Sequence, residues 1–313
     1  MKFKEFLNEY NINYIKMFSF SLSASNKYKT YEINKRNGGK RRIFHPSKEL
    51  KDYQKFLSKY IFEKLPVHEN VFSYKKNISI GDLALKHQSD NFLLRIDFKD
   101  FFPSLTSSDI RKHLKKNSEN LDFEIDDNDI TLINLIVCRF DKLTIGAPSS
   151  PSISNTLLYD FDCKMSLISS DINYSRYADD LYFTSKKNNI LKNVFKEIEQ
   201  FKSENKIALN INTQKTINSS KKHFRAITGL VITSENKVSI GRDKKRYIKG
   251  LVNKYINNNL SIDKINYLKG YLSFVKSVEK SFLINLEKKY TKEVINKLVK
   301  GSVQNSVSAL DNS

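Results

Sequence analysis

The sequence predicts an α+β protein. Between residues 91 and 240, strand-like stretches alternate with amphipathic helical ones, which is typical of α+β domains. From Arg242 to about residue 300 the apolar positions recur at helical spacing instead. The chain has 313 residues and is 39% hydrophobic, so it can bury a substantial core.

The two ends of the chain differ from this central region. Residues 32–46, EINKRNGGKRRIFHP, predict two strands joined by a turn at Asn37, Gly38 and Gly39, with cations pointing outward. Residues 302–313, SVQNSVSALDNS, predict a disordered tail.

Positive charge dominates the composition. The 54 Lys and Arg residues against 34 Asp and Glu give a formal net charge of +20, which predicts a polyanionic partner, most often nucleic acid. The 16 Tyr and 21 Phe supply rings on which bases can stack. The alternative is a lysine-rich surface that is merely solvated.

Some classes of protein fit the sequence poorly. The two cysteines form no CxxC motif and the 5 histidines show no HxxxH spacing, which disfavours a zinc site or a disulfide framework. The longest strongly apolar run, residues 132–138, is too short to span a bilayer, and the N-terminus has no signal-peptide core. We therefore expect a soluble, cytoplasmic protein with no membrane partner.

Two adjacent aspartates, Asp179 and Asp180, lie within YSRYADDLYFTS, residues 174–185. The neighbouring residues Tyr174, Tyr177, Leu181, Tyr182 and Phe183 favour strands on both sides, so the pair is expected at the turn of a hairpin. A second acidic pair, Asp126 and Asp127, lacks such flanks and predicts a helix N-cap and first turn. Adjacent carboxylates repel each other, and a hard divalent cation with oxygen ligands would relieve that repulsion.

A third carboxylate is predicted at the end of another buried strand. Asp97 follows the apolar run of residues 92–96, and the segment KDFFPS then ends the strand. Asp100 is expected to act as a helix cap or an ion-pair partner. For Asp97, helix capping is the alternative to metal binding.

Together these segments resemble the palm of reverse transcriptases, in which a strand bearing Asp97 is followed later by Tyr-Ala-Asp-Asp. TIGAPSSPSISN, residues 144–155, resembles the motif B loop and helix, with Ser149 or Ser150 as cap and Pro151 in the first turn. Residues 209–216 and 227–233 are similar to later blocks of the family. The similarity runs from about residue 28 to about residue 290.

Within that family, the compact length, GAPSSP, YADD and the Ile-Thr-Gly of residues 227–229 resemble bacterial retron reverse transcriptases. Two departures bear on this resemblance. Ile145 replaces a glutamine common in relatives, which puts in question a side-chain amide contact near the nucleotide. Leu83 replaces the asparagine of a retron element, although Ala84 and His87 remain.

The resemblance implies a right-hand polymerase. It places fingers and N-terminal helices in residues 1–90 and a palm, an antiparallel sheet packed on helices, in residues 91–240. A helical thumb follows in residues 241–300, and the tail in residues 301–313.

The resemblance also implies two-metal catalysis with two Mg²⁺ ions. Asp97 and Asp179 would bridge the ions, Asp180 would complete the negative field, and the carbonyl of Phe98 would bind the nucleotide-linked ion. All three aspartates are thus predicted to be catalytic.

For the incoming dNTP, the resemblance implies that the ring of Phe102 leaves no room for a ribose 2′-OH. Core packing is the alternative for this residue. Lys40 and Arg42 would meet the triphosphate, while Arg41 points the other way along the strand. Gly146, the motif B glycine, completes the predicted nucleotide site.

The partners implied are a structured noncoding RNA that serves as both template and primer, dNTPs, the RNA–DNA product, a retron effector protein and a host RNase H. Synthesis would start at an internal guanosine 2′-OH and yield branched RNA-linked DNA (msDNA), in defence against phages. The predicted RNA contacts are Thr228, Gly229, Lys244, Lys245, Arg246, Lys249 and Lys254.

Three alternatives remain open on sequence alone. One is another small bacterial reverse transcriptase, of the group II intron or diversity-generating type. Another is a catalytically silent RNA-binding protein that keeps the palm as a scaffold. The third, a palm-like nucleotide cyclase, is disfavoured by the basic C-terminal helices and by the lack of a GGDEF-type segment.

Overall fold

Two compact units make up the chain in the computed structural model, which describes residues 1–34 and 38–300. The first unit contains residues 1–78 and 94–218, and the second contains residues 79–93 together with the chain from Ser219 onward. These divisions differ from the predicted boundaries near residues 90 and 240. The fingers, palm and thumb are regions defined by resemblance, and their limits stay predictions. The predicted tail lies outside the described residues.

Helices and strands alternate along the chain, as an α+β fold requires. The helices are α1 Phe3–Glu9, α2 Tyr14–Ser21, α3 Lys48–Leu57, α4 Ile80–Lys86, α5 Phe101–Ser104, α6 Ser107–Lys116, α7 Asp127–Val137, α8 Ser150–Leu157, α9 Tyr159–Ser166, α10 Val194–Asn205, α11 Arg242–Ile256, α12 Ile262–Val278, α13 Lys280–Tyr290 and α14 Lys292–Lys300. The strands are β1 Tyr28–Asn34, β2 Lys40–Pro46, β3 Phe92–Lys99, β4 Asn173–Tyr177, β5 Asp180–Ser185, β6 Asn210–Ile211, β7 Ile217–Ser220, β8 Arg225–Ile227, β9 Leu230–Ile232 and β10 Val238–Ser239.

The largest sheet carries the strands that the sequence predicted to be catalytic. Its order is β4-β5-β3-β6, with β7 also paired to β3. Strands β4 and β5 form an antiparallel hairpin, and β6 runs antiparallel to β3. Most residues of β3 are buried, which is expected of a central strand covered on both faces.

Aromatic side chains join this sheet to the helices that cover it. The ring of Phe98 on β3 lies 5.8 Å from that of Phe161 on α9, which in turn lies 5.4 Å from the ring of Phe201 on α10. All three rings are almost fully buried, so they form a continuous apolar layer beneath the sheet.

The predicted hairpin in the first 90 residues is confirmed. Strands β1 and β2 pair antiparallel from Tyr28 opposite Pro46 to Asn34 opposite Lys40. Gly38 and Gly39 have φ of +85° and +80°, a backbone region that favours glycine. Asn37, the first residue of the predicted turn, lies outside the described residues.

Both predicted helix starts are confirmed, but only the first has a side-chain cap. The Asp126 carboxylate accepts hydrogen bonds from the amides of Asn128 and Asp129, at 2.8 and 2.9 Å, and so caps α7. Ser149 precedes α8, but its side chain makes no capping hydrogen bond. The Ser150 hydroxyl instead donates to the carbonyl of Thr144 at 2.8 Å, which ties the helix to its preceding loop. Pro151 lies in the first turn, as predicted.

In the second unit, the described C-terminal part is helical, as predicted, from α11 to α14. Helix α4 packs against the small sheet β10-β9-β8. Thr228 and Gly229 form the turn between β8 and β9, with φ of +46° and +86°.

Within the described part of the chain, no helix is both long enough and apolar enough to cross a bilayer.

Candidate active site

The YADD segment forms a tight hairpin, as the sequence predicted. Tyr177 at the end of β4 pairs with Asp180 at the start of β5, which leaves Ala178 and Asp179 as the two turn residues. Ala178 has a φ of +55°. Asp179 is half-buried and lies at the tip of a rigid, well-buried support.

Strand β3 brings Asp97 beside this turn. The amide of Phe98 donates a 3.0 Å hydrogen bond to the backbone carbonyl of Asp179. Asp97, the residue before Phe98, therefore lies close to Asp179. Asp97 is only 4% exposed. Its carboxylate accepts a hydrogen bond from the Asn212 amide at 3.0 Å and pairs with the Lys215 ammonium, which lies 3.1 Å from both oxygens.

Asp180 is held by a different cation. Arg95 lies two residues before Asp97 on the same strand, and its guanidinium donates to both oxygens of Asp180 at 2.8–3.1 Å. The Tyr182 hydroxyl also donates to Asp180, at 3.3 Å. This bidentate arrangement fixes the Asp180 carboxylate more firmly than a single lysine contact would.

Burial and mutual repulsion shift the acidity of the two hairpin aspartates. Burial, followed by the charges of Asp180 and Asp97, raises the pKa of Asp179 to about 6. Burial also raises the pKa of Asp180, although Arg95 opposes that shift. The charges of Asp180 and Asp97 thus raise the pKa of Asp179, and the charge of Asp97 raises that of Asp180, as expected of carboxylates that lie near one another.

The donor chemistry of this centre fits a hard divalent cation. Carboxylate oxygens are the ligands that Mg²⁺ prefers, and the pKa of Asp179 is raised first by burial and then by the charges of Asp180 and Asp97, both of which a bound cation would offset. Across residues 1–34 and 38–300, no three His, Cys, Asp or Glu side chains stand together in a geometry that could hold a metal. Two of the three aspartates are instead paired with Lys215 and Arg95.

The nucleotide residues predicted on β2 are exposed and share one acidic neighbour. The Lys40 ammonium lies 3.0 Å from the Glu32 carboxylate, and the Arg42 guanidinium lies 3.9 Å from it. Because Lys40 and Arg42 alternate with Arg41, both lie on the Glu32 side of the hairpin. Exposed pairs of this kind are weak and can exchange for phosphate.

Gly146 connects this hairpin to the motif B loop. The Phe44 amide on β2 donates to the carbonyl of Ile145 at 2.9 Å. Gly146 has a φ of +109°, and a Cβ at this position would lie 2.5 Å from the Phe44 carbonyl oxygen. Only glycine allows so close an approach of the two backbones.

Two neighbouring phenylalanines differ in how deeply they are buried. Phe101 is 5% exposed, and its ring stacks at 6.2 Å on that of Phe98, so it packs in the core. Phe102 is half-buried, with its ring 5.3 Å from that of Phe101. Asp100 is at the N-cap position of α5, but its side chain makes no capping hydrogen bond.

The predicted RNA contacts lie in the second unit and differ in their surroundings. Arg246, Lys249 and Lys254 are exposed on α11. Lys245 is paired with Glu279. The Lys244 ammonium lies 4.9–5.6 Å from three tyrosine rings, those of Tyr247, Tyr267 and Tyr271.

Sequence reasoning missed the partners of Asp97 and Asp180. Arg95 could have been found, because a residue two positions before Asp97 projects from the same face of the strand. Lys215 and Asn212 lie in the block LNINTQKT, but nothing in the spacing indicates that they reach back to Asp97.

A strand and an adjacent hairpin that both present carboxylates, on an antiparallel sheet backed by helices, define the palm of a nucleic-acid polymerase. The chain belongs to the reverse transcriptase family: the family profile described as "Reverse transcriptase (RNA-dependent DNA polymerase)" matches residues 33–239.

Two curated relatives place the chain more narrowly. It is 34% identical over 290 residues to the retron Ec83 reverse transcriptase of Escherichia coli, covering 88% of this chain and 90% of that protein. It is 32% identical over 287 residues to the retron Ec86 reverse transcriptase of the same organism, covering 88% and 86%. The chain is therefore an RNA-directed DNA polymerase of the retron type, with RNA and DNA as partners, and the family implies dependence on a divalent metal.

A solved structure supports the fold alone. The apo telomerase of Candida tropicalis superposes with a TM-score of 0.55 at 13% identity, covering 90% of this chain. The present chain spans 58% of the length of that telomerase chain.

Proposed function

We propose that this reverse transcriptase copies a structured noncoding RNA, which serves as both template and primer, into branched RNA-linked single-stranded DNA. Synthesis starts from an internal guanosine 2′-OH in the bacterial cytoplasm. A host RNase H removes the template, and a retron effector protein acts with the product in defence against phages. The observation that carries this proposal is the similarity to retron enzymes over 88% of the chain.

At the reaction centre, we propose that Asp97 and Asp179 hold two Mg²⁺ ions, with Asp180 and the Phe98 carbonyl contributing to the site. When bound, these ions supply positive charge that stabilises the attacking and leaving oxygens of phosphoryl transfer. Asn212 orients the Asp97 carboxylate, since its side-chain amide donates to that carboxylate at 3.0 Å, while its backbone amide donates to the backbone carbonyl of Asp97 at 2.8 Å. The hydrogen bonds from the Arg95 guanidinium fix the orientation of the Asp180 carboxylate.

For the incoming dNTP, we propose that Lys40 and Arg42 exchange Glu32 for triphosphate oxygens. Gly146 supports this role, because its close approach to Phe44 fixes the motif B loop against β2. Phe102 is proposed to exclude the ribose 2′-OH. The core position of Phe101 supports this assignment, since Phe101 already fills the place beside Phe98.

We propose that the second unit binds the RNA through a mixed surface of cations and tyrosines. Tyr247 and Tyr267 are 48% and 41% exposed and flank Lys244, so unpaired bases can stack on their rings while the ammonium meets a phosphate. Lys245 can contribute only after it leaves Glu279. The other proposed contacts are Thr228, Gly229, Arg246, Lys249 and Lys254.

The test is to purify the protein from cells that carry its native locus and to sequence the nucleic acid that copurifies. We expect an RNA joined to DNA through a 2′-linked branch, sensitive to debranching enzyme. The Asp179→Asn protein, expressed in the same way, should yield the RNA alone. Bulk cellular RNA without DNA, from the unaltered protein, would contradict the proposal.

A further inference from the structure

A network of buried polar side chains lies beneath the catalytic hairpin. Arg176, on β4, and Asp162, on α9, both have fully buried side chains. The Arg176 guanidinium donates to the two Asp162 oxygens at 2.8 and 2.6 Å, and the Tyr174 hydroxyl donates to the same carboxylate at 2.6 Å. A charge buried this deeply is costly unless it is fully paired.

The network extends to the motif B helix. Arg176 also donates to the backbone carbonyl of Asn155, on α8, at 3.3 Å. The Asn155 side-chain amide donates to the carbonyl of Ser73 at 2.9 Å. Helices α8 and α9 and the segment around Ser73 are therefore linked through one set of hydrogen bonds.

This network ends on the turn itself. The amide of Ala178 donates to the Ser73 hydroxyl at 2.9 Å, and the Ala178 carbonyl lies 3.5 Å from a guanidinium nitrogen of Arg176. Both the backbone amide and the backbone carbonyl of Ala178 thus have hydrogen-bond partners in this network. The next residue in the chain is Asp179.

Ala178 needs such support because of its backbone conformation. Its φ of +55° is at the first position of a two-residue hairpin turn, where glycine or asparagine is normally favoured. Alanine enters this region only when its surroundings impose it. The turn residues alone do not explain the shape of the turn, whereas the hydrogen bonds to Ser73 and Arg176 do.

We propose that Ser73, Asp162 and Arg176 are positioning residues of the polymerase. They hold Ala178 in its left-handed conformation and thereby aim the Asp179 carboxylate at the centre shared with Asp97. None of the three is itself a predicted ligand of metal, nucleotide or RNA. Their effect on catalysis passes through the turn.

The first test is Ser73→Ala, which removes the acceptor of the Ala178 amide and a 3.4 Å hydrogen bond to the Asn155 side chain. In primer extension we expect kcat to fall at least tenfold and the Mg²⁺ concentration at half-maximal rate to rise several-fold. The KM for dNTP should change little, and the melting temperature should fall by a few degrees because the Ala178 amide loses its partner. A role in stability alone would lower the melting temperature and leave the Mg²⁺ dependence unchanged.

The matched control is Ser58→Ala. Ser58 is also a buried serine of the first unit, and its hydroxyl lies 2.7 Å from that of Ser152, away from the hairpin. We expect wild-type kcat and Mg²⁺ dependence for this variant. If Ser73→Ala behaves like Ser58→Ala in both quantities, the role assigned to Ser73 is wrong.

The second test separates positioning from stability with the triple variant Arg176→Met, Asp162→Leu, Tyr174→Phe. Replacing both members of a buried ion pair with apolar residues often preserves stability, because no charge is left unpaired. Tyr174→Phe removes the hydroxyl that would otherwise lose its acceptor on Asp162. We expect a melting temperature near that of the wild type and a kcat reduced at least tenfold. A stable triple variant with wild-type kcat would overturn the proposal, and if this variant does not fold, the result for Ser73→Ala decides.

Discussion

The amide of Phe98 donates a hydrogen bond to the carbonyl of Asp179 at 3.0 Å. Through this contact the central strand and the hairpin turn are joined at the backbone, next to the residues that carry the Asp97 and Asp179 side chains. The pairing of the two segments therefore places these two residues close together.

The first prediction concerns the effect of the Asp179 charge on the free energy of unfolding. The pKa of Asp179 is raised to about 6, so the folded state holds a proton on this carboxyl more tightly than the unfolded chain does. The bound proton stabilises the fold in full below about pH 4, and this stabilisation is lost as pH rises through about 6. In the metal-free protein, Asp179→Asn should raise the free energy of unfolding at pH 7 by roughly 1–3 kcal/mol, with no gain at pH 4. Urea unfolding at both pH values measures this.

The same variant should have no detectable primer extension, because the amide cannot replace an anionic ligand. Asp52→Asn, at an exposed carboxylate on α3, is the control and should change neither stability nor activity. A metal-free Asp179→Asn protein that is less stable than the wild type at pH 7 would show that the repulsion at this turn is unimportant.

The second prediction concerns the competition between Lys215 and a metal for Asp97. Lys215→Met leaves the buried Asp97 with Asn212 as its partner, so the metal-free protein should lose about 1 kcal/mol of stability. Because the competing ammonium is gone, the Mg²⁺ concentration that gives half-maximal thermal stabilisation should fall several-fold.

Lys187→Met is the control for Lys215→Met. Lys187 also pairs with an aspartate, the exposed Asp171, but outside the catalytic centre. Its Mg²⁺ dependence should match the wild type. An unchanged Mg²⁺ dependence in Lys215→Met would mean that the lysine and the ion do not compete.

The third prediction concerns the contact between the motif B loop and β2. Gly146→Ala forces a Cβ to within 2.5 Å of the Phe44 carbonyl, at a φ of +109°. Backbone strain alone should lower the free energy of unfolding by about 1–3 kcal/mol. The displaced loop should also raise the KM for dNTP.

Gly250→Ala provides a comparison for Gly146→Ala. Gly250 lies inside α11, and its added Cβ would have no atom within 4 Å. This change should stabilise the protein by about 0.5–1 kcal/mol, since glycine is the poorer helix former. Equal effects of the two substitutions would argue against a close approach at Gly146.

The fourth prediction concerns selection of the sugar. Phe102→Ala should increase incorporation of ribonucleotides at least tenfold relative to deoxyribonucleotides, measured by competitive primer extension. Phe101→Ala should lower stability, because that ring is buried against Phe98, but should leave the selectivity unchanged. Selectivity lost in Phe101→Ala and kept in Phe102→Ala would reverse the two assignments.

The positions of Asp97 and Asp179 on a buried strand and a hairpin turn could be predicted because they depend on local patterns. Aromatic residues on both sides of Asp179 favour a hairpin, and the apolar residues before Asp97 favour a buried strand. The cap at Asp126 follows from equally local chemistry. The side-chain cap predicted at Ser149 or Ser150 is absent. The Ser150 hydroxyl accepts from the Thr144 amide at 3.3 Å and donates to the Thr144 carbonyl at 2.8 Å, so its hydrogen bonds go to the preceding loop and not to a helix amide.

The partners of the aspartates could not be predicted because they come from distant parts of the chain. Arg176 and Asp162 belong to different elements, and neither periodicity nor spacing relates them. The association of residues 79–93 with the C-terminal unit is equally non-local. In these cases tertiary packing decides, and one sequence does not display it.

Arg95 and Lys215 have a consequence for the order of assembly. They pair with two of the three aspartates, so only the negative charge of Asp179 is left without a paired cation at this centre before any ion arrives. A sugar–phosphate backbone approaching the metal-free enzyme is therefore repelled only weakly by this region. We expect the RNA to dock equally well with and without chelator, so that loading of the template does not require the ions.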